Sequence, residues 1–89
     1  MARILLTEFS SKLGSETLNV RVYREAGSFI CEREVVERDG TSFTMVLPVR
    51  EAQAVRKFLA ADPHYAEVRP AAVRALQNFE RAVRTSHGK

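Results

Sequence analysis

Asp39 and Gly40 lie between two stretches with strand character, and this arrangement constrains the fold more than any other feature of the sequence. Asp-Gly is a preferred pair for a two-residue β-hairpin turn with positive φ. We therefore expect a hairpin over residues 28–49, with strands near residues 28–38 and 41–48. The second strand has an apolar residue at every other position, and this face is predicted to lie in the core. Its members are Phe43, Met45, Leu47 and Val49.

The first arm of this hairpin is less regular. Phe29 and Cys31 share one face, but Arg33 takes the next inward position, and apolar residues return at Val35 and Val36. We expect a β-bulge near residues 33–35, since an extra residue would change the phase there.

The N-terminal part allows two interpretations. Residues 3–9 are predicted as a strand, because they lack a good helix N-cap, but residues 3–13 also match a short helix that ends at Gly14. With the strand, residues 10–16 form a loop. Strict alternation then predicts a strand over residues 17–24, with Leu18, Val20 and Val22 facing inwards, and a short turn follows at residues 25–27.

After Val49 the apolar spacing changes to 3.6 residues, which predicts helices over residues 50–61 and 70–85. Pro70 suits the first turn of the second helix, residues 64–69 form a connector, and residues 86–89 are a frayed, mobile tail. The buried stripes are Ala52, Val55, Phe58 and Leu59, and then Ala72, Leu76, Phe79 and Val83. The predicted fold is α+β, an antiparallel β-meander of three to four strands with two helices packed on its apolar face.

The predicted order over residues 3–61 is similar in topology to the whirly and positive-cofactor family of single-stranded-DNA-binding coactivators. That resemblance implies a dimer formed through the helix and nucleic acid held on the sheet, although the sheet here lacks that family's lysines and aromatic residues. A helix over residues 3–13 would instead resemble a double-stranded-RNA-binding domain, with Val49-Arg50-Glu51-Ala52-Gln53 in place of its basic run. No motif matches either family residue by residue.

Size and composition indicate one small soluble domain. The chain has 89 residues, 45% of them hydrophobic, which is enough to bury a core without a disulfide or a metal. A lone cysteine excludes an intramolecular disulfide and favours a reducing cytoplasm. The N-terminal apolar run has three residues, too short for a signal peptide or a membrane span, so we expect no membrane association.

The sequence contains no pattern typical of catalysis. Cys31 is interpreted as a buried core thiol, and Glu32 and Glu34 as part of a charged outer sheet face. His64 and His87 have no ligand spacing, and the four glycines are isolated, so neither a metal site nor a phosphate-binding loop is expected. We therefore expect a non-enzymatic protein with no cofactor and no small-molecule substrate.

Two surfaces are candidates for binding. Residues 50–89 carry eight Lys and Arg against four Asp and Glu, and a basic face on the second helix favours nucleic acid, bound through its phosphates without strong sequence preference. Its residues are Arg74, Gln77, Asn78, Arg81 and Arg84, with Arg50, Arg56 and Lys57 added from the first helix. The alternative is a protein partner or a homodimer, bound by a sheet edge or by the outward residues Tyr23, Ile30, Thr44 and Val46. A solvated helix face is the ordinary explanation of the first surface.

Overall fold

The protein is an antiparallel β-meander followed by two helices, which confirms the predicted fold class. The structure is a computed structural model that describes residues 3–62 and 65–88, without the side chains of residues 65 and 85–88. The four strands are β1 (Ile4–Leu13), β2 (Glu16–Glu25), β3 (Ser28–Val36) and β4 (Ser42–Val49), and they form one sheet in that order. The helices are α1 (Ala52–Ala60) and α2 (Tyr65–Gly88).

The N-terminal segment is a strand, so the alternative of a helix over residues 3–13 is wrong. The loop predicted at residues 10–16 is also wrong, because β1 continues to Leu13 and only Gly14 and Ser15 separate it from β2. Gly14 has φ +67°, as the first position of a tight two-residue turn requires. Serines within residues 10–15 suggested a loop, but pairing with β2 extends the strand through them.

The turn before β4 differs from the prediction. It is a three-residue loop of Arg38, Asp39 and Gly40, in which Gly40 N–H donates to Glu37 C=O at 2.9 Å and Glu37 N–H donates to Thr41 C=O at 2.7 Å. Gly40 has φ +93°, whereas Asp39 does not have positive φ. This is the pattern of a three-residue hairpin with glycine in the left-handed position, so the predicted two-residue turn is wrong.

The β-bulge lies in β1 and not in β3. The register of β3 is continuous on both sides, with Arg33 opposite Val20 and Met45, so the bulge predicted at residues 33–35 is wrong. The register instead shifts between Leu5 and Thr7. Arg33 keeps its inward position because Asp62 binds its guanidinium there, with Nε to Oδ2 at 2.5 Å.

The core lies between the helices and strands β1 to β3. Its centre is Phe79, fully buried, whose ring meets that of Phe29 edge-on at 5.6 Å between centroids. Thr7 is a buried polar residue that donates its hydroxyl to Ala75 C=O at 2.8 Å, and this bond holds α2 against β1. The predicted inward residues that are buried are Leu18, Val20, Val22, Cys31, Val55, Leu59, Ala72 and Phe79.

Helix α2 begins at Tyr65, so the predicted start at Pro70 is wrong. Within the predicted connector, residue 64 lies outside the described part of the chain, and residues 65–69 are helical. Proline disrupts a helix interior, but Val68 is 1% exposed, and its burial in the core stabilises the turn that precedes Pro70. The helix also continues to Gly88, through most of the predicted tail, and residue 89 is not described.

Strand β4 extends past the helices. Because α2 packs mainly on β1 and α1 packs on β3, the helical layer ends before the last strand. Phe43, Met45 and Leu47 do face the helix side, opposite Val35, Arg33 and Cys31, but they are exposed. Their predicted burial in the core is therefore wrong, and only Val49 of that row packs against the core.

Candidate interaction surfaces

The predicted basic residues of α2 face solvent. Arg74, Arg81 and Arg84 are exposed, as are Gln77 and Asn78 beside them. Arg74 and Arg81 are two helical turns apart, about 10.5 Å along the axis. Among the side chains that the structure describes, none forms an ion pair with Arg74 or Arg81. Both guanidinium groups therefore keep their hydrogen-bond donors available.

Arg56 is neutralised. Its guanidinium binds both carboxylate oxygens of Glu80 on α2, including an Nη2 to Oε1 bond of 3.0 Å, and Gln53 Oε1 accepts a further bond at 3.1 Å. The hydrogen bond from Arg56 lowers the pKa of the Glu80 carboxyl, and the charge of Arg84 lowers it further. The ion pair between Arg56 and Glu80 therefore joins α1 to α2. The sequence had predicted that Arg56 binds phosphate.

Arg50 and Lys57, the other two basic residues predicted from the first helix, are exposed. Arg50 precedes α1 and Lys57 lies in its last turn.

The outer face of the sheet is mostly a polar network. Arg21 binds Glu32 at 3.1 Å and Glu34 at 3.3 Å, and the Glu32 hydrogen bond raises the pKa of the Arg21 guanidinium. Asn19 also binds Glu34, and Arg3 binds Glu32 at 3.2 Å. These cross-strand pairs satisfy one another, which leaves little of this face for a partner.

The outward residues predicted as an interface are divided by position. Tyr23 and Ile30 are opposite each other on β2 and β3 and half-buried, with the Arg3 guanidinium 5.0 Å from the Tyr23 ring centroid. Thr44 and Val46 are exposed on β4, and Val46 is 53% exposed. Of these four residues, only Val46 is an exposed apolar side chain.

The most exposed apolar surface is the helix side of β4, which the sequence pattern assigned to the core. We call Phe43, Met45 and Leu47 the β4 row, and they are 61%, 50% and 42% exposed. Residues 41–49 contain no charged side chain. The β4 row makes the helix side of this strand apolar and open to solvent, and the other face adds exposed Val46 and Pro48 beside the hydroxyls of Ser42 and Thr44.

Within residues 3–62 and 65–88, β4 pairs with β3 alone, so one side of its backbone has no partner strand. Glu37 bonds to Thr41 across the hairpin, and antiparallel pairs alternate, so the odd-numbered residues of β4 bond to β3. The backbone groups of Ser42, Thr44, Val46 and Pro48 then point away from the sheet, and we call them the β4 edge. Proline has no N–H, so its place there costs no bond to β3.

Arg33 and Asp62 form an ion pair that the sequence did not indicate. The Asp62 side chain is 4% exposed and that of Arg33 is 21% exposed. A second bond joins Arg33 Nη2 to Asp62 Oδ1 at 3.3 Å. The pair holds the chain that follows α1 against β3, at the border between the covered sheet and the uncovered β4.

Cys31 is a buried free thiol. Burial raises the pKa of the Cys31 thiol to about 11. The described side chains include no group of three or more His, Cys, Asp or Glu that could hold a metal ion, and the side chains of His64 and His87 lie outside that set. Over residues 3–62 and 65–88, neither helix has the length and hydropathy of a membrane-crossing segment.

Comparison with known proteins gives no family for this chain. No protein-family model matches it, and searches of curated proteins and of solved structures found no match. The class that the fold and its surfaces define is an α+β meander with one protected and one open sheet edge.

Proposed function

We propose that this chain is a non-enzymatic, self-associating protein-interaction module that joins two copies through β4. The observation that carries the proposal is the exposed β4 row beside the unpaired β4 edge. An open apolar edge strand is a template for pairing with another strand, and monomeric proteins usually protect it. The paired state would be one continuous antiparallel sheet of eight strands.

A second copy fits the hydrogen-bonding pattern of the β4 edge. Antiparallel pairing about a two-fold axis at Met45 places Thr44 of one copy opposite Val46 of the other, and each pair exchanges two backbone bonds. Ser42 N–H then donates to Pro48 C=O of the other copy. Ser42 C=O receives no bond in return, because the nitrogen of Pro48 carries no hydrogen.

The side chains of β4 also favour a second copy. In this register Phe43 lies opposite Leu47 of the other copy on the helix side, so the two β4 rows join into one apolar surface. Because residues 41–49 carry no charge, the two-fold axis brings no like charges together along the strand. The same edge could instead accept an extended segment of a different protein. In that case this chain alone would be a monomer in the experiment below.

Sedimentation over a range of protein concentrations tests the proposal. The parent chain is expected to form a dimer, and Val46→Lys is expected to be a monomer because the two introduced charges lie near the two-fold axis. Ser10→Lys is the matched control, since it adds the same charge at an exposed position of β1. It should leave the dimer intact. A parent chain that stays monomeric, or a dimer that Val46→Lys does not dissociate, would contradict self-association.

A second function is favoured by the exposed arginines of α2, which support phosphate contacts with nucleic acid. Binding through Arg74, Arg81 and Arg84 should weaken steeply with salt, and each arginine replaced by glutamine should lower the salt slope by about one unit. Arg56→Gln is the matched control, because Glu80 already neutralises Arg56. Titration of an oligonucleotide at several salt concentrations measures both quantities. Binding that salt does not change, or none at low salt, would remove this candidate.

A further inference from the structure

A groove runs between the start of β1 and the C-terminal half of α2, at the edge of the sheet opposite β4. Its volume is about 600 Å³, within the range typical of small-molecule sites. The apolar lining is Ile4, Leu5, Leu6 and Ala82, and the polar lining is Arg24, Asn78 and Arg81. The sequence pattern did not indicate it, because its walls come from residues distant in the chain.

The groove follows from how α2 meets β1. The register shift between Leu5 and Thr7 interrupts the regular pairing of β1 at Leu6. Thr7 is bonded to Ala75 C=O, and Ala82 lies two turns further along α2. The bulge and this bond therefore fix the two walls relative to each other, and bulges are frequent beside binding sites.

The charge of the groove is positive. Arg24 and Arg81 form no ion pair with any described side chain, and the described lining contains no carboxylate. The Arg24 guanidinium lies over the Phe29 ring, 5.6 Å from its centroid, which limits its orientation. Asn78 adds an amide that can donate a hydrogen bond. An anion is the ligand that two guanidinium groups and an amide favour.

We propose that this groove binds an amphiphilic anion, with the acidic head on Arg24, Asn78 and Arg81 and a hydrocarbon tail along Ile4 and Leu6. Ile4 pairs with Arg24 and is 56% exposed, which leaves apolar surface for the tail to cover. A free inorganic anion would use only the polar part of the groove. The ligand class is therefore a medium-chain carboxylate or an alkyl phosphate.

Decanoate is the probe, and backbone amide NMR shifts of the full chain locate its binding. Shifts are expected at Leu6 and Ala82. Arg81→Gln and Arg24→Gln should each weaken binding about tenfold, the value of one charge-assisted hydrogen bond. Ala82→Trp should prevent binding by filling the groove. Arg74→Gln is the matched control on the same helix and should leave the affinity unchanged, and a thermal melt checks that each variant folds.

Four results would overturn the proposal. Decanol binding as tightly as decanoate would show that the arginines do not contribute, and acetate binding as tightly would show that the tail does not. Shifts confined to Met45 and Leu47 would place the probe on the β4 row. An Arg74→Gln loss equal to that of Arg81→Gln would show general attraction of anions to α2. Decyl phosphate in parallel with decanoate identifies which acidic head the groove prefers.

Discussion

The two edges of this sheet are protected very differently. β1 has a β-bulge, carries exposed Glu8 and Lys12, and is covered by α2. β4 has no charged residue, a continuous register with β3, and an exposed β4 row. Charge, bulges and a covering helix are the usual ways in which proteins prevent edge-to-edge pairing. Their presence on one edge and near absence on the other indicates that β4 is the edge available to a partner.

The largest expected difference between the two sides concerns aromatic side chains. Phe79→Ala should lower the free energy of unfolding by about 3–5 kcal/mol, because Phe79 of α2 is fully buried between the helix and the sheet. Phe43→Ala should change it by less than about 0.5 kcal/mol, because Phe43 is 61% exposed. Urea unfolding at low protein concentration measures both changes. Equal losses would mean that β4 is covered in the monomer and would remove the contrast between the edges.

The reactivity of the Cys31 thiol tests whether the exposed strand β4 still shields β3 from solvent. Cys31 pairs with Leu47 and is fully buried. Its pKa of about 11, against the ordinary 9.0, should reduce the thiolate fraction at pH 8 about 100-fold. Alkylation by iodoacetamide should be slower by at least that factor than in a Cys31→Ser, Ser42→Cys variant, whose thiol is exposed.

The same pKa predicts a pH dependence of stability. The folded thiol keeps its proton above pH 9.0, where the unfolded thiol loses it, so stability should fall as pH rises from about 9 to 11. Cys31→Ser should abolish this part of the decline. In the alkylation experiment, rapid reaction of the Cys31 thiol of the parent chain at pH 8 would show instead that β4 detaches readily from β3.

Periodicity predicted which side of the sheet the residues of β2 and β4 face, but it could not predict what covers that side. Phe43, Met45 and Leu47 alternate as core residues do, and they do face the helix side. Their exposure depends on where α1 and α2 lie across the sheet, which is a tertiary property. The nine-residue helix α1 packs on β3 and leaves Phe43, Met45 and Leu47 of the last strand exposed.

Local sequence patterns also could not predict the ion pairs between distant segments of the chain. Arg33 broke the apolar alternation of β3, and a bulge was the local explanation, whereas Asp62, 29 residues further along, supplies the partner. Arg56 had the helical position expected of a phosphate ligand, but Glu80 of α2 neutralises it. The exposed arginines of α2 were predictable because their helix buries its opposite side.

A smaller effect should distinguish matched threonines on the two edges. Thr7→Val should lower the free energy of unfolding by about 1–2 kcal/mol, because it leaves Ala75 C=O without its buried donor. Thr44→Val on β4 should have almost no effect in the monomer, since Thr44 is exposed. Thermal and urea unfolding provide the comparison. A Thr7→Val protein as stable as the parent would show that the bond does not hold α2 against β1.

The smallest expected effect lies in the turn between β2 and β3, midway between the two edges. Ala26 has φ +51° and Gly27 has φ +83°, so both central residues are in the left-handed region. Asparagine is favoured at the first position of such a turn, and an alanine there is strained. Ala26→Asn should therefore raise the free energy of unfolding by about 0.5–1 kcal/mol.

Gly40→Val gives the opposite control in the turn before β4. Gly40 has φ +93°, and although no atom lies within 4 Å of an added Cβ, the backbone strain of a β-branched residue should lower stability by more than about 1 kcal/mol. Neither turn variant changes a side chain of β1 or β4. Ala26→Asn should therefore leave the dimerisation constant unchanged. Combined with a destabilising edge variant, it should recover part of the lost free energy of unfolding. If Ala26→Asn alters self-association as much as Val46→Lys does, the contact between copies lies near the β2–β3 turn, and β4 is not the edge that they share.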